Sequence, residues 1–264
     1  MRKFLLYFLL VFSTIVLSVY GVQNSAQSQA GHRQIIVTDT QGMANFIELL
    51  VGSELTIIQS DLAQNEGGFS EHDTVAIFAR PQDLEPTIPT LNLPAAMGIS
   101  STLPWLSPQR GLEAFQIMDQ FLTRQTTAYT RRNYSRVTRE LERLTKNYAE
   151  SLQNCQESVL VTTLPDLESL SFTYNLAVLH LGTDNLDTAQ NERYLRDNDL
   201  TYILYSPHSN NNDFRRFLTN RNYTPLAFET FESPSSTAYL QGLRSNLNQL
   251  VTALECSFEE ERAS

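Results

Sequence analysis

Histidine and cysteine are the side chains most often used to bind transition metals, and the chain contains four histidines and two cysteines. His208 follows a short apolar run at the predicted carboxyl end of a strand, which is where α/β sheets bind their ligands. It is therefore the best candidate among the four histidines for a residue that lines a ligand-binding cleft. His180 lies within an apolar strand pattern, which is typical of a buried structural histidine, whereas His32 and His72 fall where surface positions are expected.

The two cysteines, Cys155 and Cys256, are too isolated in the sequence to form a metal-binding or redox motif. In an oxidising compartment such a pair can form a disulfide, here within the C-terminal half of the chain. The sequence also contains no Gly-x-Ser-x-Gly, no His-Glu-x-x-His, no phosphate-binding glycine loop and no Cys-x-x-Cys motif. We therefore do not expect an enzyme.

The N-terminus has the layout of an export signal, because Met1-Arg2-Lys3 is basic and Phe4 to Tyr20 is uncharged and mostly apolar. Small residues at Ser28-Gln29-Ala30 suit a cleavage site, and Val19-Tyr20-Gly21 is a less ideal one, so we predict a signal peptide over residues 1–30. No cysteine lies near it, which argues against the usual lipoprotein anchor. We expect a periplasmic protein in a host with two membranes, and an uncleaved anchor is the alternative. The formal net charge of −10 argues against a nucleic-acid partner.

The central stretch of the chain predicts two consecutive helices, with Ser107 as N-cap and Pro108 at the first helical position. The first helix should end near Gln125, and the second should run from about Thr126 to Leu152. The second helix is amphipathic, because its apolar side chains recur at steps of three and four while cations fill much of the remaining surface. This pattern is typical of a solvated helix, or of a spine between two lobes.

Short apolar runs alternate with helical patterns on both sides of this stretch, and such alternation predicts parallel sheets covered by helices. We therefore predict an α/β fold of two lobes, each a parallel sheet with flanking helices, joined by a long spine helix. The proline-containing segment 80–103 should be an irregular cover. The predicted division is a signal peptide at 1–30, an N-terminal lobe at 31–125, the spine at 126–155, a C-terminal lobe at 156–258 and an acidic tail at 259–264.

The loops that follow the predicted strands should line a single cleft, if the two lobes face each other across the spine. The predicted strands cover residues 35–37, 54–59, 74–79, 159–161, 177–181, 202–205 and 225–228. This is the geometry of a two-lobed binding protein. A helical linker also predicts limited hinge motion between the lobes.

Several segments, taken in their order, resemble those of the solute-binding proteins of zinc/manganese-type ABC importers. Leu103-Pro104-Trp105-Leu106-Ser107-Pro108 resembles the family's His-Val-Trp-Leu-(Asp/Ser)-Pro segment, and Leu160 to Leu164 resembles its strand leading to a metal-binding histidine. Ile203 to His208 resembles the strand that ends in Glu-Pro-Gln, and the segment from Thr237 to Leu250 resembles the terminal helix. The likeness covers nearly all of the chain after the predicted signal.

This resemblance implies a monomeric binding protein that captures zinc or manganese between its lobes and delivers the ion to an ABC permease in the inner membrane. The family binds its metal with about three histidines and one carboxylate. Two of these histidine positions are Leu103 and Leu164 here, and leucine has no lone pair to donate to a metal. The position of the acidic ligand falls at Glu229 or at the next residue, and Glu229 would serve.

A rebuilt site is one hypothesis, in which His208 and Glu229 act with Asp39 or Asp166, since imidazole and carboxylate suit divalent metals. The alternative is a degenerate relative that binds no metal and acts as an envelope interaction protein. The two leucines favour the alternative. A polar cleft that keeps His208 and Glu229 favours metal binding.

Overall fold

The structure is a computed structural model, and it describes residues 34–53, 55–59, 74–80, 88–99, 103–126, 129, 131–164, 167–181, 189–208, 214, 216–218, 222–233 and 238–257. The predicted signal peptide and acidic tail lie outside the described residues, as do His32, His72 and Asp166. Among the described helices, none combines the length and the hydropathy of a membrane span.

Within the described residues, eight short strands form two sheets of four strands each. The strands are β1 (Ile35–Thr38), β2 (Thr56–Gln59), β3 (Thr74–Phe78), β4 (Thr90–Asn92), β5 (Val159–Thr162), β6 (Ala177–His180), β7 (Tyr202–Tyr205) and β8 (Thr224–Ala227). The strand order is β2-β1-β3-β4 in the first sheet and β6-β5-β7-β8 in the second, and neighbouring strands are parallel. The predicted α/β fold with two parallel sheets is therefore confirmed.

Helices flank both sheets and connect them. Those within the described residues are α1 (Gln41–Val51), α2 (Leu93–Met97), α3 (Pro108–Gln125), α4 (Tyr134–Ser151), α5 (Glu168–Tyr174), α6 (Ala189–Asp197) and α7 (Tyr239–Ala253). A short 3-10 turn at Pro104–Leu106 precedes α3. The start of α3 agrees with the sequence, because Ser107 Oγ accepts a hydrogen bond from the Arg110 N–H (3.5 Å) and Pro108 occupies the first turn.

The second central helix, α4, begins at Tyr134 and not near Thr126 as predicted. Thr126 has an extended backbone (φ −129°, ψ 142°) and ends α3. The connection that follows is anchored on Asp119, whose carboxylate accepts a hydrogen bond from the Tyr129 hydroxyl (2.8 Å) and pairs with Arg131 (2.8 Å). An amphipathic pattern identifies the buried face of a helix, but it does not reveal a tertiary anchor that holds the preceding loop.

The segment 80–103, predicted to be irregular, contains β4 and α2. β4 pairs with β3, with Thr90 opposite Ala76. Asn92 caps α2 by accepting a hydrogen bond from the Ala95 N–H (3.0 Å), and Pro94 lies in the first turn of that helix. A proline is tolerated in a first helical turn, so the prolines that suggested irregular structure are compatible with both elements.

One hydrophobic cluster extends through both lobes. It contains Ile36 of the first sheet, Leu160 of the second sheet and side chains from the helices between them. At its centre the ring of Phe46 on α1 lies 6.2 Å from the ring of Trp105 and 5.1 Å from that of Tyr239 on α7. The two lobes therefore share this cluster, whereas Val161 and Ile203 of the second sheet belong to a separate cluster.

A disulfide joins Cys155 to Cys256 (S–S 1.99 Å). It connects the chain just after α4 to the chain just after α7. Backbone hydrogen bonds flank it, including one from the Ser257 N–H to the Asn154 C=O (3.1 Å). The pairing that the two cysteines allowed in an oxidising compartment is thus present in the structure.

Candidate functional site

His208 and Glu229 follow the carboxyl ends of two neighbouring strands. β7 and β8 pair with Tyr205 opposite Ala227, and the Phe228 N–H extends the pairing by donating to the Tyr205 C=O (2.8 Å). The two loops therefore leave the sheet at the same edge, and His208 Nε2 lies 3.2 Å from Glu229 Oε2. The two side chains are 26% and 14% exposed, so water reaches both. Their role as metal ligands stays a prediction.

Glu229 is held from the opposite side by Asn246 of α7, which is fully buried. Asn246 Oδ1 accepts a hydrogen bond from the Glu229 N–H (2.8 Å), and Nδ2 donates one to the Glu229 C=O (2.9 Å). The side-chain amide thus satisfies backbone groups that lie beyond the end of β8. The sequence contains no signal for this contact, because a single asparagine in an amphipathic helix is usually exposed.

The separation of the two candidate ligand atoms suits a tetrahedral zinc ion. Zinc binds imidazole nitrogen at about 2.0–2.1 Å and carboxylate oxygen at about 2.0–2.2 Å, so two such ligands lie roughly 3.4 Å apart at the corners of a tetrahedron. The observed 3.2 Å is close to this value, and it also allows a hydrogen bond between the two groups. The pair can supply two ligands, and water or another side chain must supply the others.

Asp39, a third candidate ligand, makes other contacts. It follows β1, and its carboxylate accepts hydrogen bonds from the Ala79 N–H (2.9 Å) and the Arg80 N–H (2.8 Å). Asp39 therefore ties the end of β1 to the end of β3. Asp166, the fourth candidate, lies outside the described residues. In the described part of the chain, no three or more His, Cys, Asp or Glu side chains are grouped so that they could hold a metal ion.

Leu103 and Leu164, at the positions of the family histidines, pack as core residues. They are 8% and 3% exposed and belong to the hydrophobic cluster that the lobes share. Their backbones are also fixed, because the Leu103 C=O accepts a hydrogen bond from Ser169 Oγ (3.4 Å) and the Leu164 N–H donates one to Thr162 Oγ1 (2.9 Å). Both residues contribute packing, and neither can contribute a ligand.

Glu232 is an acidic residue at the contact between the lobes that the sequence did not single out. Its carboxylate lies against Gly42, in the first turn of α1, so closely that a Cβ at position 42 would collide with Glu232 Oε1. Burial raises the pKa of Glu232 to about 7, and the charge of Asp39 adds to this shift, whereas the Gly42 backbone amide and Arg80 oppose it. The carboxyl group therefore changes its charge near neutral pH.

His180 is exposed at the end of β6, although its apolar neighbours suggested a buried position. β6 is an edge strand of the second sheet, and its other residues are also only partly buried or exposed. An alternating or apolar run does not distinguish an edge strand from a central one, so the expected burial of His180 was wrong.

A cavity of about 460 Å³ lies on the first lobe, between α1 and β2. Polar side chains dominate its walls, among them Gln41, Asn45 and Glu48. Neither His208 nor Glu229 lines it. It is therefore separate from the candidate metal site.

Comparison with known proteins relates residues 103–253 to a family described as the periplasmic zinc-uptake complex component A (ZnuA). No curated protein matches the chain in sequence. Solved structures do match it. A Zn(II)-bound variant of AdcAII from Streptococcus pneumoniae superposes with a TM-score of 0.65, at 14% identity, over 85% of this chain and 99% of that chain.

Two further solved structures match the chain with similar TM-scores and coverage. The Zn(II)-bound ZnuA-like domain of AdcA from Streptococcus pneumoniae has a TM-score of 0.64 and 15% identity, covering 84% of this chain and 99% of that domain. The laminin-binding protein Lmb of Streptococcus agalactiae, described as bifunctional with adhesin and metal-transporting activity, has a TM-score of 0.62 and 13% identity, covering 84% and 99%. At these identities the structural likeness establishes the fold.

Proposed function

The chain belongs to the family of periplasmic zinc-uptake component A proteins, and we propose that it captures a divalent metal ion, with zinc as the first candidate, and presents it to an ABC permease. The Zn(II)-bound relatives support zinc as the cargo, and manganese is the second candidate. We further propose that the protein is exported to the periplasm by its N-terminal segment and acts as a monomer, without catalytic activity.

The observation that carries this proposal is the pairing of His208 with Glu229 at 3.2 Å. A neutral imidazole can donate its Nε2 lone pair to zinc, while the carboxylate supplies a second ligand and one negative charge. The ion would replace the hydrogen bond that joins the two side chains in its absence. Because both side chains are partly exposed, water can complete the coordination and can be exchanged during release of the ion.

The test is the metal content and metal affinity of the exported protein, purified without a tag that binds metals. Elemental analysis and calorimetric titration with zinc and with manganese should show one zinc ion per chain. His208→Ala and Glu229→Ala should each weaken zinc binding by at least the roughly 10- to 100-fold that loss of an outer-shell partner costs. Absence of binding at micromolar zinc would contradict the proposal.

The matched control is His180→Ala. His180 is an exposed histidine at the carboxyl end of β6, and in the same sheet β5 lies between β6 and β7, the strand that precedes His208. Its removal should leave zinc affinity unchanged. Equal losses in His180→Ala and His208→Ala would indicate nonspecific binding of zinc to surface histidines, and would count against a site at His208 and Glu229.

A second candidate function is that of an envelope interaction protein that no longer transports metal. The burial of Leu103 and Leu164 in the shared hydrophobic cluster favours it, because apolar packing occupies the positions where the family has histidines. Under this alternative the elemental analysis finds no stoichiometric metal. Affinity capture from the envelope should then recover a protein partner, and saturating zinc should not alter that capture.

A further inference from the structure

Residues 229–232, which are separated from the end of β8 by one residue, are here called the strap, because they run from the candidate zinc site to the first lobe. After Glu229, the Thr230 C=O accepts a hydrogen bond from Trp105 Nε1–H (3.3 Å). The Phe231 C=O accepts one from Asn45 Nδ2–H (2.9 Å), and Asn45 lies on α1 of the first lobe. Consecutive carbonyl groups of the strap are thus bound by side chains that precede the second sheet in the chain.

The side chain of Phe231 leaves the strap little freedom. Phe231 is 1% exposed, and its ring lies 5.0 Å from the ring of Tyr239 in an edge-to-face arrangement. Its φ of 65° lies in the left-handed region, which a bulky residue adopts only when its surroundings enforce it. The ring also packs directly on Gly242 of α7, where a Cβ would collide with it. These contacts fix the middle of the strap.

The end of the strap at Glu232 packs against α1. Glu232 lies against Gly42, and a Cβ at that position would collide with both the Glu232 carboxylate and the Trp105 ring. The near end is fixed by Asn246, which binds both the N–H and the C=O of Glu229. The strap contains no glycine, so its backbone has restricted freedom, and we expect a displacement at the α1 end to reach Glu229.

We propose that Asn246 and Asn45 are positioning residues for the zinc site, acting through the strap to hold the Glu229 carboxylate against His208. Asn246 acts directly on the Glu229 backbone. Asn45 acts from the first lobe, through the Phe231 C=O, so contacts on α1 set the zinc affinity of a site in the second lobe. The proposal rests on the zinc site proposed above. A ligand must be held within about 0.5 Å of its productive position, so small shifts of the strap are sufficient.

The experiment measures zinc affinity by calorimetry for Asn45→Ala and Asn246→Ala, together with the unfolding midpoint of each variant. We expect each to weaken zinc binding by about 10- to 100-fold, as outer-shell partners do. Gln41→Ala is the matched control for Asn45, because it removes the hydrogen bond that Gln41 donates to Asn45 Oδ1 (2.8 Å) and leaves the bond from Asn45 Nδ2 to the Phe231 C=O in place. Leu250→Ala controls for stability, because it creates a cavity at the buried face of α7. It leaves both hydrogen bonds between Asn246 and Glu229 in place. Both controls should keep zinc affinity within about twofold.

Crystal structures of the metal-free variants separate this proposal from the zinc proposal. In Asn45→Ala and Asn246→Ala, the distance between His208 Nε2 and Glu229 Oε2 should increase beyond hydrogen-bonding range, whether or not zinc binds to the wild type. Wild-type protein that binds no zinc would refute the proposed function, and this distance would still decide the role of the strap. The hydrogen-exchange rate of the Glu229 backbone amide gives a second readout. Folded variants in which both this rate and the distance between His208 Nε2 and Glu229 Oε2 are unchanged would overturn the positioning role.

Discussion

Loss of the disulfide should lower the free energy of unfolding by about 4–5 kcal/mol. The bridged cysteines are 101 residues apart in the sequence. The chain-entropy relation assigns a cross-link of about this loop length roughly 4.7 kcal/mol at 25 °C, because the bridge restricts the unfolded chain. The folded state should change little, since the Glu157 N–H still donates to the Leu254 C=O (3.0 Å) beside the bridge.

The assay is urea unfolding of the Cys155→Ser/Cys256→Ser double variant against the oxidised wild type. Besides the lower free energy, the double variant should show a larger denaturant slope, because its unfolded state exposes more surface. A fall in Tm of roughly 10–20 °C should accompany this in a chain of this size. Wild-type protein unfolded in the presence of a reductant serves as the control, and it should match the double variant.

A loss of less than about 1 kcal/mol in both the double variant and the reduced wild type would refute this reasoning. It would mean that residual structure already restricts the unfolded chain between the two cysteines. A large loss in the double variant alone would instead assign the effect to the serine side chains, because the partly buried cysteines also pack against the shared core.

Two further predictions concern charged groups that are not candidate zinc ligands. Asp119→Ala should cost about 2–3 kcal/mol in urea unfolding, because it removes the partner of Tyr129 and Arg131, whereas the exposed Asp197→Ala should cost less than about 0.5 kcal/mol. Burial raises the pKa of Glu232 from 4.5 to about 7, so its contribution to stability is full below about pH 4.5 and is lost as the pH rises through 7. Glu232→Gln should abolish this loss in unfolding midpoints measured between pH 5 and 8, and an unchanged pH profile would contradict the assignment.

Elements whose signals are local could be predicted from the sequence. The Ser107-Pro108 start of α3 depends on side chains within one turn, and it was confirmed. The parallel sheets follow from apolar runs alternating with helical patterns, and they too were confirmed. The approach of His208 to Glu229 followed from the rule that parallel strands end at one edge of a sheet.

Features that depend on distant partners could not be predicted in this way. Asn246 reaches Glu229 from α7, and Glu232 reaches Gly42 across the lobes, so neither contact has a signature within a short window. The late start of α4 likewise depends on Asp119, which lies one helix earlier. In each case a polar group acquires its partner only after the elements have packed. Hydrophobic periodicity predicts the elements, but it does not predict such contacts between them.

The contact between α1 and α7 has a consequence for the order in which the molecule can acquire its structure. Phe46, near the beginning of the described chain, packs on Tyr239, near its end, and the Tyr239 hydroxyl donates to the Trp105 C=O (2.7 Å). The first lobe therefore lacks part of its interior until the last helix has been synthesised. For a chain with the export signal predicted here, this delay would keep the polypeptide incompletely folded until its synthesis is nearly complete. An incompletely folded chain can still pass through a secretion channel.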